Sequence, residues 1–200
     1  MMTQILNDTA RILRSSGYAA TVFETGRDAC EYLNAEIDGQ TVGIGGSSTI
    51  HKIGIYEKLL THNTVFWHWK QDADLARREA MTTDVYLTSV NAIARTGEMI
   101  SIDGVGNRLS SMLFGHKKIY FVIGRNKLTD TCEQAVWRAR NIAAPRRARE
   151  LNRKTPCAVR CDMCYDCKST DRICRGMVTL WEPMSGMEAE VLLVNEELGL

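Results

Sequence analysis

The sequence predicts an α/β domain built on a largely parallel sheet, with a cysteine-rich appendage near the C-terminus. Three observations predict it. Short β-branched runs alternate with amphipathic helical runs as far as Val90, the rhythm of βα units. A Gly-rich turn, TVGIGGSST at Thr41–Thr49, joins one such strand to the helix that follows. Five cysteines, Cys157, Cys161, Cys164, Cys167 and Cys174, crowd one short stretch. The length of 200 residues and the hydrophobic fraction of 44% suit a single domain over 1–200 with a real core.

In chain order, residues 2–16 predict an amphipathic helix with Ile5, Leu6, Ile12 and Leu13 on one face, ending at Gly17. Ala19–Phe23 is a strand. Thr25 and Asp28 have the spacing of a capping box and open a helix through Ala35, with Cys30 a small buried hydrophobe. Thr41–Ile44 is a short buried strand. Ile50, Ile53, Ile55, Leu59 and Leu60 carry the helix after the glycine turn. Thr64–Trp67, a helix over 72–81 and Val85–Val90 continue the alternation. Trp67 and Trp69 read as strand-end packing.

The rhythm changes at Asn91–Ala94 and Glu98–Asp103, which flank Arg95-Thr96-Gly97. That connection suits a hairpin, and so an antiparallel pair within an otherwise parallel, mixed sheet. A second Gly-rich turn, Asp103-Gly-Val-Gly-Asn107-Arg108, enters a helix over 108–114. Lys118–Gly124 is the clearest buried strand, and Asp130–Ala143 the clearest helix, expected to end near Pro145. Cys132 lies in its first turn as a packing residue. Arg146, Arg147, Arg149, Arg153 and Lys154 read as a solvated basic face. Gly176–Glu182 and Glu188–Asn195 close the chain as strands.

Composition narrows the function classes. No apolar run approaches the roughly 20 residues of a membrane helix. The N-terminus, MMTQILNDTARILR, has no basic region followed by an apolar stretch, so the chain reads as cytoplasmic. A net charge of +1 supplies no field for nucleic acid. Seven cysteines in such a chain argue for metal or redox chemistry over a disulfide framework.

Two constellations could carry chemistry. The first joins the glycine loop to the second Gly-rich turn. Gly45 and Gly46 free the backbone for a tight turn, and Ser47 offers a hydroxyl at a helix start, a geometry that suits an anion. Ligands of βα sheets bind at the carboxyl ends of strands near a topological switch. Asn91, Asp103, Asn107 and Arg108 are therefore expected to face the loop. Asp103 could act as acid or base, and Arg108 could grip a carboxylate or phosphate. The alternative is plain turn chemistry, in which Asp and Asn bond their own backbone. His51 and Lys52 lie one turn further on.

The second constellation is PCAVRCDMCYDCKSTDRIC, residues 156–174. One ligand set is Cys157, Cys164, Cys167 and Cys174. Another is Cys161, Cys164 and Cys167, the spacing of a bacterial ferredoxin run, completed by Cys157 or Cys174. Zinc sites more often carry two separate CxxC knuckles, which tilts the reading towards an iron–sulfur cluster, with structural zinc as the alternative. Free cysteines without metal remain the plain reading.

GIGGSST, TSVNAIARTGEMISIDGVGNR, FGHKKIYFVIGRNKL, RNIAAP and the PC-x6-C-x2-C-x6-C tail resemble the LUD-domain family, from about Ala20 to the C-terminus. That family is associated with lactate utilisation. The resemblance implies a three-layer α/β/α sandwich of the NagB/RpiA/CoA-transferase-like superfamily. It strengthens Gly45, Gly46, Ser47, Asp103, Asn107 and Arg108 as site residues; with Asn91 from the turn reading, the expected catalytic residues are Asp103 and Arg108 and the expected ligand-binding ones Gly45, Gly46, Ser47, Asn91 and Asn107. It also implies Cys157, Cys164, Cys167 and Cys174 as the metal ligands, with Cys161 outside the pattern.

The expected function is a LUD-type component of lactate or related organic-acid oxidation, binding an anionic small molecule and carrying a 4Fe-4S cluster. Redox partner subunits and a homodimer are the partners to look for; nucleic acid and membrane are not. The alternatives are a non-redox acyl or CoA transferase or hydrolase, or a scaffold with structural zinc. The cysteine segment is tethered at both ends. On the redox reading it should cover the end of the sheet that carries Gly46 and Asp103.

Overall fold

A computed structural model describes residues 1–200. The helices are α1 Met2–Ser15, α2 Gly26–Glu36, α3 Ser48–Ile53, α4 Ile55–Leu59, α5 Ala73–Glu79, α6 Asn107–Leu113, α7 Cys132–Arg138, α8 Ala144–Glu150 and α9 Pro156–Arg160. The strands are β1 Ala19–Phe23, β2 Thr41–Ile44, β3 Thr64–Trp67, β4 Val85–Thr88, β5 Ala92–Ala94, β6 Met99–Asp103, β7 Lys118–Gly124, β8 Leu128–Thr129, β9 Gly176–Leu180 and β10 Glu188–Val194. Six of these form one sheet in the order β1-β10-β7-β4-β2-β3. Every pairing in it is parallel.

Both faces of this sheet are covered, and the strand sequences say why. Along β7, Ile119, Phe121 and Ile123 join one core with Leu6 and Leu13 of α1 and Met112 of α6. Tyr120 and Val122 point the other way, into a second core with Leu33 of α2, Ile50 of α3 and Leu59 of α4. A strand flanked on both sides reads as a continuous apolar run, as KIYFVIG does. The Thr25–Asp28 capping box is formed: Thr25 Oγ1 accepts from the Asp28 amide (3.1 Å), and the Thr25 amide donates to Asp28 Oδ2 (3.2 Å). Cys30 is buried in the second core, as expected.

Three features differ from the expectations. The antiparallel hairpin does not enter the large sheet. It builds a second sheet of order β8-β5-β6-β9, in which β6 pairs antiparallel with both β5 and β9. Ile93 and Met99 of this sheet face the first core, whereas Ala92, Ala94, Ile100 and Ile102 pack on Ala135 and Ala139. The two closing strands therefore part company, β9 to the small sheet and β10 to the large one, between β1 and β7.

The helix after the glycine loop breaks at Gly54, which adopts a left-handed φ of +71°. The helix expected to end near Pro145 runs through it. A π-helical stretch at Ala139–Ala143 precedes the proline, and α8 continues to Glu150. A widened turn absorbs the missing N–H and gives the ring room, so the proline does not stop the helix.

Gly43, inside β2, tests this packing. A Cβ there would lie 2.6 Å from the Ala80 carbonyl oxygen and 2.8 Å from Thr83 Oγ1. Backbone cannot yield as a flexible side chain does. Gly43→Ala should cost about 1–3 kcal/mol, with Tm falling by roughly 2–4 °C per kcal/mol. Calorimetry checks it; an unchanged Tm would mean that β2 and the turn at Ala80 are not so closely apposed.

Candidate functional site

The carboxyl ends of four parallel strands meet in one cavity of about 580 Å³. Gly46 and Ser47 follow β2, His68 and Trp69 follow β3, Ser89 to Asn91 follow β4, and Lys127 follows β7. This is where a parallel sheet binds its ligands. The small sheet supplies the opposite wall with Ile102, Asp103, Gly104, Asn107 and Arg108. The roof comes from α8 and the cysteine segment, through Arg147, Arg153 and Thr170 to Ile173.

The glycine loop works differently from the expectation. Neither Gly45 nor Gly46 has a positive φ. Both are required by close approach. A Cβ on Gly45 would lie 2.8 Å from the Tyr86 hydroxyl and 3.2 Å from Arg108 Cγ, and one on Gly46 would lie 3.3 Å from His68 Nε2. Gly46 and Ser47 line the cavity; Gly45 stands behind it. Ser47 caps α3, its Oγ accepting from the Ile50 amide (3.2 Å), and its hydroxyl proton is left over for a ligand. The helix it caps is only six residues long, so the positive field here comes from side chains.

Those side chains are numerous. Arg77, Arg108, Lys127, Arg147, Arg153, Arg172 and Arg175 line the cavity against Asp103 and Asp171. Two of these acids are already engaged: Asp171 takes Arg153 at 3.2 Å, and Asp103 is a turn residue. Asp103 Oδ1 accepts from the Gly104 amide (2.7 Å) and Oδ2 from the Arg108 amide (3.0 Å), closing the second Gly-rich turn and capping α6. Each oxygen keeps a further acceptor position.

Arg108 spends three of its five donors on the protein. Nη1 donates to the Ser89 carbonyl (2.9 Å), and Nη2 to the Ile102 carbonyl (2.5 Å) and Asn91 Oδ1 (3.3 Å). Asn91 Oδ1 also accepts from the Ile102 amide (2.7 Å), so what Asn91 offers the cavity is its Nδ2. Asn107 opens α6 on the same wall. The expected set, apart from Gly45, is thus brought together, with Arg108 and Asn91 partly committed to holding the walls.

The sequence reading missed His68, Arg77 and Lys127 as cavity residues, and Arg172, expected only to offset thiolate charge near the cysteines, lines the cavity as well. Burial, with help from the Arg77 charge, holds His68 down at about 4, so its ring is neutral. Arg77 and Arg172 each keep a buried Nε–H with no acceptor. Such donors are costly without a partner; both side chains line the cavity, with the Nε atoms themselves covered. Within the basic stretch expected to be a solvated face, Arg147 stacks on the Trp69 ring at 4.9 Å. His51 packs towards Trp67 and Trp69, and Lys52 donates to the Glu197 carbonyl (2.6 Å); neither reaches the cavity.

A second cavity of about 230 Å³ is lined by Cys157, Cys164, Cys167 and Cys174, and not by Cys161. Cys161 ends α9 in a left-handed conformation, φ 57°. Polar groups lie near three of the four sulfurs: the Asp166 amide is 3.4 Å from Cys164 Sγ, Arg172 Nη2 3.6 Å from Cys174 Sγ, and Thr155 Oγ1 3.3 Å from Cys157 Sγ. The sulfurs share a cavity without converging; nowhere do three Cys, His, Asp or Glu side chains gather at ligating distance. The two cavities share a wall of Ile102, Ala144, Arg172, Ile173 and Arg175. Gly104 permits this contact, since a Cβ there would meet the Ile173 carbonyl at 2.7 Å. The cysteine segment therefore lies over the end of the sheet that carries Gly46 and Asp103.

Comparison with known proteins places this geometry. The LUD domain family model matches residues 6–194. A solved DUF162-family protein from Deinococcus radiodurans is similar in fold, with a TM-score of 0.57 at 16% identity, over 97% of this chain and 98% of that one. No curated protein matches.

Two outcomes follow from the site geometry. Arg108→Ala leaves two carbonyls and Asn91 Oδ1 without their donor, and should cost about 2–4 kcal/mol in urea unfolding. A loss below ~0.5 kcal/mol would mean the two walls hold without it. For His68, the unfolded ring takes up its proton near 6.5 and the folded ring only at about 4. Its contribution to stability is therefore complete above pH 6.5 and is lost as pH falls towards 4. NMR titration of the ring checks this; an ordinary midpoint would mean that His68 is solvated.

Proposed function

The chain belongs to the LUD domain family, and on that footing we propose that it serves lactate or related organic-acid oxidation as a component that binds a small organic anion. The larger cavity holds the anion. Cys157, Cys164, Cys167 and Cys174 hold an iron–sulfur cluster. The observation that carries this reading is the shared wall between a cavity rich in arginine and a cavity lined by four of the five clustered cysteines.

The chain's own groups have distinct tasks in this reading. The guanidinium groups of Arg77 and Arg172, the Ser47 hydroxyl and the Asn91 amide receive the carboxylate. Asn107 and Asp103 face the rest of the molecule, with Asp103 accepting from a substrate hydroxyl. His68, neutral and beside Gly46, can accept a hydrogen bond from a substrate hydroxyl. The Gly46 backbone and Trp69 limit the space around the substrate. A cluster bound by the four thiolates would supply one-electron transfer. The amide and guanidinium donors around the sulfurs fit it, since they offset thiolate charge and tune potential.

Arg172 joins the two sites. One Nη donates to the Cys167 carbonyl (2.9 Å), the other approaches Cys174 Sγ, and the side chain also lines the anion cavity. Filling either cavity should therefore steady the other.

Anaerobically purified protein should carry iron and sulfide and absorb in the visible. Serine at Cys157, Cys164, Cys167 or Cys174 should remove most of that iron, and Cys161→Ser should retain it. Stoichiometric zinc without visible absorption would assign the cysteines a stapling role. Wild-type metal content in all four serine variants would remove the site altogether. For the anion, Arg77→Gln should weaken calorimetric binding of lactate about tenfold, the scale of one charge-assisted hydrogen bond. Unchanged affinity would place the carboxylate elsewhere.

A further inference from the structure

Lys127 stands out among the buried cations. It is 4% exposed and lies in the wall of the larger cavity, at the carboxyl end of β7. A buried ammonium is ordinarily paired with a carboxylate. Lys127 has none. Its Nζ meets Thr49 Oγ1 (2.8 Å), Ser89 Oγ (2.9 Å) and the Val90 carbonyl (3.1 Å), all neutral.

The hydrogen-bond arithmetic of that shell fits a neutral amine. The Val90 carbonyl can only accept. Thr49 gives its own proton to the Leu198 carbonyl (3.1 Å), so towards Lys127 it accepts. Ser89 Oγ is free to donate, because its other contact, to the Val90 carbonyl, is 3.5 Å long. Two acceptors and one donor match the two N–H bonds and the lone pair of a lysine –NH2. Burial drives the amine the same way, far below its ordinary value, and the Arg138 and Arg108 charges add to it.

An unprotonated lysine in a cavity lined by arginines joins a nucleophile to a carboxylate site. We propose that Lys127 captures the carbonyl carbon of a short 2-oxo acid as a reversible imine, with the acid's carboxylate held by the cavity's arginines. The inference rests on the anion-cavity reading above and adds a covalent site to it.

The step balances without any redox partner. The Nζ lone pair forms a bond to C2, and the carbonyl π pair moves to oxygen. That oxygen takes up two protons, the two that the amine nitrogen gives up in turn, and departs as water while the C=N bond forms. One amine and one ketone become one imine and one water, and hydrolysis reverses the step. The Ser89 and Thr49 hydroxyls, both in contact with Nζ, stand where the protons must pass.

The test uses the full chain with pyruvate as the probe. Protein, pyruvate and borohydride are incubated, and the reduced adduct is located by peptide mass mapping; pyruvate binding is measured separately by calorimetry. The expected result is an adduct concentrated on Lys127, absent without pyruvate and suppressed by excess lactate. Mapping the wild-type chain needs no variant that might misfold. Pyruvate binding without an adduct on Lys127, or with adducts spread over surface lysines, would overturn the imine and leave the anion cavity standing. Absence of binding as well would overturn both.

Discussion

The buried guanidinium of Arg108 is the constraint on which the site depends. It joins the carbonyl that ends β4, the carbonyl near the end of β6 and the side chain of Asn91 between them. Its backbone N–H is held by Asp103 in turn. The large parallel sheet and the small mixed one thereby share a single charged knot. Burying a guanidinium is costly unless its donors are met, and here most are met by groups that would otherwise be unpaired. The cavity walls are fixed as a by-product.

Around that knot the cavity gathers positive charge from segments far apart in the chain. Arg77 comes from α5, Lys127 from the turn after β7, Arg147 from α8, and Arg172 from the cysteine segment. A net charge of +1 over the whole molecule conceals this concentration. In a partly enclosed cavity, screening is weak, so the local field is what an anion meets. The cysteine segment is bound into the same arrangement by the Arg175 amide on the Asp103 carbonyl (2.9 Å). A change at the cysteines is therefore felt at the second Gly-rich turn.

Much of the fold was legible in the residues. Alternation and β-branching located the strands of the parallel sheet, because a strand covered on both faces is apolar throughout. Turn chemistry located the hairpin, but partner choice is a long-range matter. Nothing local to Ile93 or Met99 says that they pack on the first core from a separate sheet. Pro145 was misjudged because a π-helical turn can absorb a proline. In the site, Ser47, Asn107 and Asp103 were legible from loop chemistry. His68 and Arg77 were not, since their meaning lies in whom they meet; Arg172 was legible as a cation beside the cysteines, but not as a wall of the anion cavity. Lys127 had one available signal: it sits in FGHKKIYFVIGRNKL, just past the most buried strand, where a charged residue has little reason to be.

The central claim is that one wall separates an organic anion from a metal centre on four cysteines. The most direct measurement is anomalous diffraction at the iron edge from anaerobically grown crystals containing lactate. The account predicts an iron peak among the Cys157, Cys164, Cys167 and Cys174 sulfurs, with lactate across the wall between Ser47 and Arg172. Lactate bound away from that wall, or four cysteines without any anomalous peak, would contradict it.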